Sequence, residues 1–458
     1  MLKEEAIAAF RFSLRGELIE PGDARYEATR KVYNAMIERR PRLIARCADV
    51  ADVMAAVKFG RDQKLLVSIR GGGHNACGLG ICDDGLVIDL SQMNHVRVDP
   101  KRRIVQVGGG ALWRDVDHAT HAFGLAVPSG IISTTGVGGL TLGGGLGYLT
   151  RRYGLTIDNL LGVEMVLADG RFVTANAKEN SDLFWAVRGG GGNFGVVTAF
   201  LFRGQPVGTV YGGPMLWPME DAEELMRWYR GVIAKASKDL NGFFAFHTVP
   251  PWAPFPEHLH GKKMCGIVWC YTGLLKKAEK VFKPLREFKA PALDLVGPIP
   301  HLTLQSMFDR LYPAGLQWYW KADFVRTLPD EAIAQHLKYA EMMPSMYCTM
   351  HLYPINGAAS HVKRDATAWW HRDATWTEVI VGVGPDPARK DEMKAWAKEY
   401  WNALHPYSMG GAYVNFMMEE GDERIRATYG KNYRRLAGIK KKYDVTNFFR
   451  VNQNIKPK

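Results

Sequence analysis

The apolar pattern along the chain predicts its elements before any composition is counted. Leu66-Val67-Ser68-Ile69 is short, apolar and β-branched at two of its four positions, the signature of a buried strand, and Leu86-Val87-Ile88-Asp89-Leu90 reads as its return. Upstream, Tyr26, Val32, Tyr33, Met36 and Ile37 fall at helical spacing. So do Val50, Val53, Met54 and Val57, in a run opened by Asp49 or Asp52 as cap. Residues 41–45 between them read as a strand. Residues 103–107 alternate like a strand, 112–123 resume helical spacing and stop at Gly124, and 162–168 with 171–175 form a hairpin turning at Asp169-Gly170.

From residue 204 the texture changes. Helical patterns over 220–234, 275–288, 330–343 and 387–404 alternate with strands over 243–249, 266–272, 317–324, 345–353 and 377–383. That predicts a separate α/β unit, an antiparallel sheet with helices on one face. In its most legible strand, period-two alternation turns Met346, Cys348, Met350 and Leu352 towards the helices. Tyr347, Thr349, His351 and Tyr353 take the other face, a polar row suited to a pocket wall. Short strands mixed with helices make the whole an α+β chain.

Glycine clusters interrupt this pattern in the first half. Arg70-Gly71-Gly72-Gly73-His74-Asn75 follows the first strand directly, and Gly78 and Gly80 keep the loop thin. Three glycines remove every Cβ and let backbone N–H groups converge on an anion. The segment is either a tight turn whose histidine caps a backbone group or a diphosphate cradle holding a nucleophile. A second stretch, 130–148, carries eight glycines and four hydroxyl residues in nineteen positions. Such glycine content is unfavourable in backbone entropy unless something flat packs on the main chain, and the interposed Ile, Val and Leu argue against a linker. In the third, Gly190, Gly192 and Gly195 satisfy GxGxxG spacing. A helix precedes them and a β-rich run follows, the reverse of the nicotinamide-binding context, so that fingerprint is excluded.

Composition narrows the classes. Within 458 residues there is no run of 18 apolar residues, so no membrane partner is expected. Met1-Leu2-Lys3-Glu4-Glu5 lacks a secretory h-region, and the six cysteines form no CxxC pair. A reducing, cytoplasmic location is expected. The net charge of +12 invites nucleic acid, but the basic residues are scattered. Their densest cluster, Lys440-Lys441-Lys442 near Arg434 and Arg435, lies on a helix whose apolar stripe is Tyr433, Leu436, Ile439 and Tyr443, which predicts a solvated face. With no recognition module beside it, nucleic acid is not an expected partner; attraction of an acidic small substrate stays open.

RGGGHN (70–75), GVGGLTLGGGLGYLTRRYGLTIDNL (136–160), FWAVRGGGGNFGVV (184–197) and a tail of YVNF (413–416), YGKNYRRL (429–436) and YDVTNFFRVNQNI (443–455) together resemble one family. It is the berberine-bridge-enzyme-like branch of the vanillyl-alcohol-oxidase superfamily of flavoproteins, and the resemblance covers nearly the whole chain. It implies a two-subdomain FAD-binding domain over 1–205, an inserted substrate domain over 206–410, and a segment 411–458 that completes the FAD domain. His74 matches the histidine that bonds the 8α carbon of the isoalloxazine. Arg70, Gly71, Gly72 and Gly73 match the diphosphate loop, with Asn75 and Gly78 beside them. Gly143, Gly144 and Gly145, preceded by Gly138, Gly139 and Thr141, match a second FAD loop. Asn193, Gly195 and Val197 match a third, and Asn415 and Asn452 the tail positions that approach the flavin.

Two departures stand out. Ile132 occupies the place of a second linking cysteine, and Phe416 that of a catalytic tyrosine. The resemblance implies an FAD-dependent oxidase passing a hydride from a small substrate, an alcohol or sugar hydroxyl first, to FAD linked through His74, with O₂ reduced to H₂O₂. Amine oxidation, oxygenating chemistry on a natural product, and flavin binding with little turnover remain alternatives. In oxidases resembling this one the residue three after the second-linkage site tunes oxygen access, which is Thr135 here. Without the phenol, His351 is the expected base, with an ordinary pKa of about 6.5. Tyr353 and Tyr413 are its orienting donors, and Lys321 is the one nearby cation that could lower a phenol's pKa. Substrate identity and oligomeric state are not written in these residues.

Overall fold

The structure is a computed structural model describing residues 2–458. Two sheets build its first half. In one, Glu17–Ile19, Leu43–Arg46, Leu86–Asp89 and Val67–Arg70 lie in that order, the last three parallel. Their near-continuous apolar residues suit strands covered on both faces. Asp49 caps the helix Val50–Asp62 by accepting from the N–H groups of Ala51 and Asp52. The other sheet is antiparallel: Val96–Asp99, Ile104–Gly108, Val196–Arg203, Leu160–Val166 and Phe172–Asn176. The expected hairpin forms, with Gly170 at φ +85° in its turn.

The helix expected from Tyr26 to Ile37 reduces to Tyr26–Thr29. Asn34 competes with it: its Nδ2 donates to the carbonyls of Ala76 and Trp318, and its Oδ1 accepts from the N–H groups of Met36 and Trp318. The N–H of Tyr33 goes to Gly73 and that of Ala35 to Leu316. The segment therefore ties the glycine loop to the second half of the chain.

That second half is an eight-stranded antiparallel sheet. Four neighbouring strands run Leu240–Thr248, Thr349–Pro354, Trp376–Gly384 and, at the sheet's edge, Gln317–Val325. The strand Thr209–Pro218 was hidden in the sequence by Gly212, Gly213 and Pro214, which break its alternation. Helices Ala222–Lys235, Asp330–Glu341 and Lys390–Leu404 cover one face, where Cys348, Met350 and Leu352 are buried as expected. Residues 345–348 turn instead of extending, because the N–H of Tyr347 goes to Ser345 Oγ and that of Cys348 to the Ser345 carbonyl. Tyr347 and Met346 thus drop out of the alternation. Among the described residues no helix is long and apolar enough to cross a membrane.

The basic cluster of the tail is only partly solvated. Lys441, Lys442, Arg434 and Arg435 are exposed, but Lys440 is fully buried. Its ammonium donates to Asp444 and to the Asn193 carbonyl, each at 2.6 Å, and to the Phe449 carbonyl at 2.8 Å. Asp444 also accepts from the N–H groups of Phe448 and Phe449, so the pair staples the chain end to the third glycine loop. Lys440→Met, which strands the Asp444 charge, should lower stability by about 3–5 kcal/mol in denaturant unfolding. A loss within error would mean that water reaches the pair.

Acid should weaken the fold for a separate reason. Burial holds His301 and His371 down to about 4, and His336 and His351 down to about 3. The unfolded chain takes up these protons near pH 6.5 and the folded chain does not. Stability is therefore full above about pH 6.5 and is lost as pH falls from there towards the folded values, on the order of 2 kcal/mol per histidine by pH 5. Thermal unfolding at pH 7.5 and pH 5 checks this; equal midpoints would mean that these rings are protonated in the folded state.

Candidate active site

One cavity of roughly 1860 Å³, its open mouth included, runs between the glycine loops, the helix-free face of the eight-stranded sheet and the tail. The loop after Val67–Arg70 delivers His74 to it, with Gly73 at φ +64°. The imidazole stacks on Tyr33, centroids 3.7 Å apart at 21°, and Tyr33 is fixed by its hydroxyl on the Tyr312 carbonyl at 2.7 Å. His74 Nε2 is buried with no partner among the described residues. Burial pushes the ring down to about 4, so it stands neutral.

The glycines around it have divided duties. A Cβ on Gly72 would lie 2.6 Å from backbone atoms of Gly136, so these two loops touch main chain to main chain. Gly71, Gly138, Gly139, Gly195 and Val197 line the cavity, as does Asn75. Gly191 and Gly192 join them and were missed, although they sit inside the quoted glycine run. Arg70 also borders the cavity, but its guanidinium is engaged by Asp89 at 2.7 Å and the Thr29 carbonyl at 2.6 Å. It braces the loop and is not a free charge for a diphosphate.

Six expected contacts lie elsewhere. Gly78 packs on Ile37, 2.6 Å from an added Cβ. A Cβ added at Gly143, Gly144 or Gly145 would lie 2.1, 2.4 or 2.0 Å from Asn415, Trp369 or Thr156, so their missing side chains admit protein and not a ligand. Thr141 is buried outside the cavity lining, its hydroxyl without a partner among the described residues. Asn193 donates to the carbonyls of Gly190 and Gln453 and accepts from the N–H of Ile455, which makes it a clasp for the tail. Asn415 and Asn452 do reach the cavity. Asn415 Nδ2 is held by the Leu140 carbonyl and the Tyr413 hydroxyl; Asn452 Nδ2 is held by the carbonyls of Gly192 and Phe449, which leaves its buried Oδ1 unpaired among the described residues.

These residues fit FAD. The loops present bare backbone where a diphosphate needs N–H donors, and a neutral imidazole and an amide oxygen stand buried without partners.

On the sheet side, Thr349, His351 and Tyr353 line the cavity, as expected, and Tyr347 does not. His351 Nδ1 lies 2.5 Å from the Tyr353 hydroxyl, with Phe243 packed on both rings. Burial, then the neighbouring His247, takes His351 far below the expected 6.5, and burial raises Tyr353 well above the ordinary phenol. Lys321 cannot act on either: it pairs with Glu420 at 2.6 Å and lies over Trp401. The Tyr413 hydroxyl accepts from the Gly145 N–H at 2.9 Å and Asn415 Nδ2 at 2.7 Å, which fixes the tail and leaves its own O–H to donate. Thr135, Ile132 and Phe416 all border the cavity. Trp318 and Trp320 border it too; their i, i+2 spacing on a predicted strand was the signal available for them.

Two sheets with their helices around a glycine-walled cavity, capped by an eight-stranded antiparallel sheet, define an FAD-linked oxidoreductase of the vanillyl-alcohol-oxidase type. Residues 41–176 match the FAD binding domain family and 412–456 the family described as berberine and berberine like. An FAD-linked oxidoreductase of Dictyostelium discoideum is 31% identical over 97% of this chain and 95% of its own. The (R)-6-hydroxynicotine oxidase of Paenarthrobacter nicotinovorans is 30% identical over 97% of each chain. Among solved structures, 6-hydroxy-D-nicotine oxidase from Arthrobacter nicotinovorans superposes with a TM-score of 0.87 at 26% identity, covering 97% of this chain and 99% of that one. The BBE-like 1 protein of Physcomitrella patens, at 23% identity, 99% coverage of each chain and a TM-score of 0.86, shares the fold. The chain belongs to the berberine-bridge-enzyme-like FAD-linked oxidoreductases.

Proposed function

We propose that the protein is an oxidase that removes a hydride and a proton from a small alcohol or amine, with FAD held covalently through His74 alone. The observation that carries the reading is that one cavity joins a neutral, unpartnered His74 in a glycine cradle to the His351–Tyr353 pair on the substrate sheet. FAD, when bound, supplies the two-electron acceptor. In balance, a C–H and an adjoining O–H or N–H bond break, a C=O or C=N bond forms, and O₂ takes both electrons and both hydrogens as H₂O₂.

The chain's own residues bind, orient and move a proton. Backbone N–H groups of residues 71–73 and 191–192 hold the diphosphate, and Ile132, lacking a thiol, leaves His74 as the single link. In the tautomer whose Nδ1–H donates to the Tyr353 oxygen, the reverse of the donor role expected of that phenol, the second ring nitrogen is free to accept the substrate proton and Tyr353 fixes the ring's rotation. That arrangement supports giving His351 the base role which Phe416 cannot fill. Thr135 borders the cavity and leaves room for oxygen beside the cofactor. Thr135→Leu should slow the return of flavin colour on admitting O₂ and leave anaerobic bleaching nearly unchanged; equal recolouring rates in stopped flow would count against it.

The reading divides the chain at 1–205, 206–410 and 411–458, supported by the separate sheets of the first two parts. It places the protein in the cytoplasm, on the six buried, unpaired cysteine thiols. A yellow acid-precipitated pellet tests the link, and peroxide formed with substrate tests the reaction; a colourless pellet over free FAD would remove the covalent part.

A further inference from the structure

We infer that the substrate is a small, uncharged aromatic molecule bearing one hydrogen-bonding group beside the oxidised carbon, and not a sugar; this rests on the oxidase reading of the same cavity. Trp318 and Trp320 stand two apart on the strand Gln317–Val325 and share its cavity face. Trp320 meets Trp318 at 6.1 Å and 85°, and Phe416 at 5.6 Å and 83°, so three rings form a corner. Val381, paired directly with Trp320, continues the wall, and Val379 follows on the same face. A planar ring packs edge and face against such a corner.

The indole N–H groups of Trp318 and Trp320 are buried without partners among the described residues, and the other polar groups of this wall are engaged. The Thr349 hydroxyl donates to the Phe246 carbonyl at 2.7 Å, and His351 and Tyr353 hold each other. One imidazole nitrogen remains for a ligand, beside those two indole donors. A sugar would bring more hydroxyls out of water than these few groups can pair, and each unsatisfied hydroxyl weakens binding. Charge is unwelcome for the same reason. Lys321, Asp323 and Glu378 belong to the opposite face, paired or buried among the helices, and Arg70 is held by Asp89. No carboxylate lines the cavity to receive an ammonium, so an amine would enter as its free base.

The test uses the purified flavoprotein, kept anaerobic, and three probes: benzamide, trimethylphenylammonium and cellobiose. Binding is read as perturbation of the flavin absorption band and as a rise in the thermal midpoint. Benzamide should bind at least about tenfold more tightly than either of the others, and Trp320→Ala should weaken it by about tenfold. With an amine substrate, KM should rise about tenfold for each pH unit below the amine's own pKa. Cellobiose or the cation binding as well as benzamide, or benzamide failing to bind, would overturn the inference. The wild-type comparison decides it even if Trp320→Ala does not fold. Oxidation of cellobiose alone would defeat this inference and leave the oxidase reading. Tight benzamide binding, with no bleaching by any benzylic alcohol or amine, would do the reverse.

Discussion

His351→Ala should slow anaerobic flavin reduction by about 10²–10⁴-fold, the usual contribution of a general base. Wild type should show no change of rate between pH 5 and pH 9. Both outcomes come from the same burial. The ring works only when unprotonated, and its pKa lies near 3, so the competent form is fully populated across that window. A solvated histidine would instead give a rate that falls below about pH 6.5. Tyr353→Phe keeps the ring but removes its 2.5 Å partner, so its loss should be smaller than that of His351→Ala. If His351→Ala reduces within a few-fold of wild type, the pair only shapes the pocket. Tyr413, whose hydroxyl already accepts two N–H donors, then becomes the next group to test.

His74→Ala should convert a permanent cofactor into an exchangeable one. The backbone cradle does not depend on the imidazole: Gly72 and Gly136 still touch, and Asn452 is still held by the Gly192 carbonyl. The variant should therefore purify yellow, lose its flavin on dialysis and give a colourless acid pellet, with reduction slower than in wild type. Gly72→Ala should be worse, since its methyl would meet the Gly136 backbone at 2.6 Å and force the two loops apart. Trypsin would release the flavin on a peptide of residues 71–97, which carries His74 and His95. His95→Ala is the control that assigns the bond: if it and not His74→Ala bleaches the pellet, the assignment to His74 fails.

Much of this site was legible because backbone chemistry and period-two alternation are local. Strand, triple glycine and histidine can be read off eight consecutive residues. The alternation of Thr349, His351 and Tyr353 against Met350 and Leu352 needs only the pleat. What stayed hidden depends on partners far away in sequence. Gly143–145 look like a cofactor wall until Asn415, Trp369 and Thr156 are seen to fill the space beside them. Lys440 reads as solvent-facing until the Asn193 and Phe449 carbonyls surround it. Asn34 reads as an ordinary helix position until Trp318, nearly three hundred residues on, occupies both ends of its amide. His351 was placed correctly by its face and mistaken in its pKa, because desolvation is a property of the assembled cavity and not of the strand.

The proposed reaction oxidises a small substrate in this cavity at the expense of oxygen. Its most direct measurement mixes the anaerobic yellow protein with a panel of benzylic alcohols and neutral aromatic amines, follows the flavin band, then admits air and titrates peroxide. Complete bleaching by at least one member, full return of colour, and one H₂O₂ per substrate oxidised are expected. A flavin that a chemical reductant bleaches but no alcohol, amine or sugar does would contradict the proposed reaction.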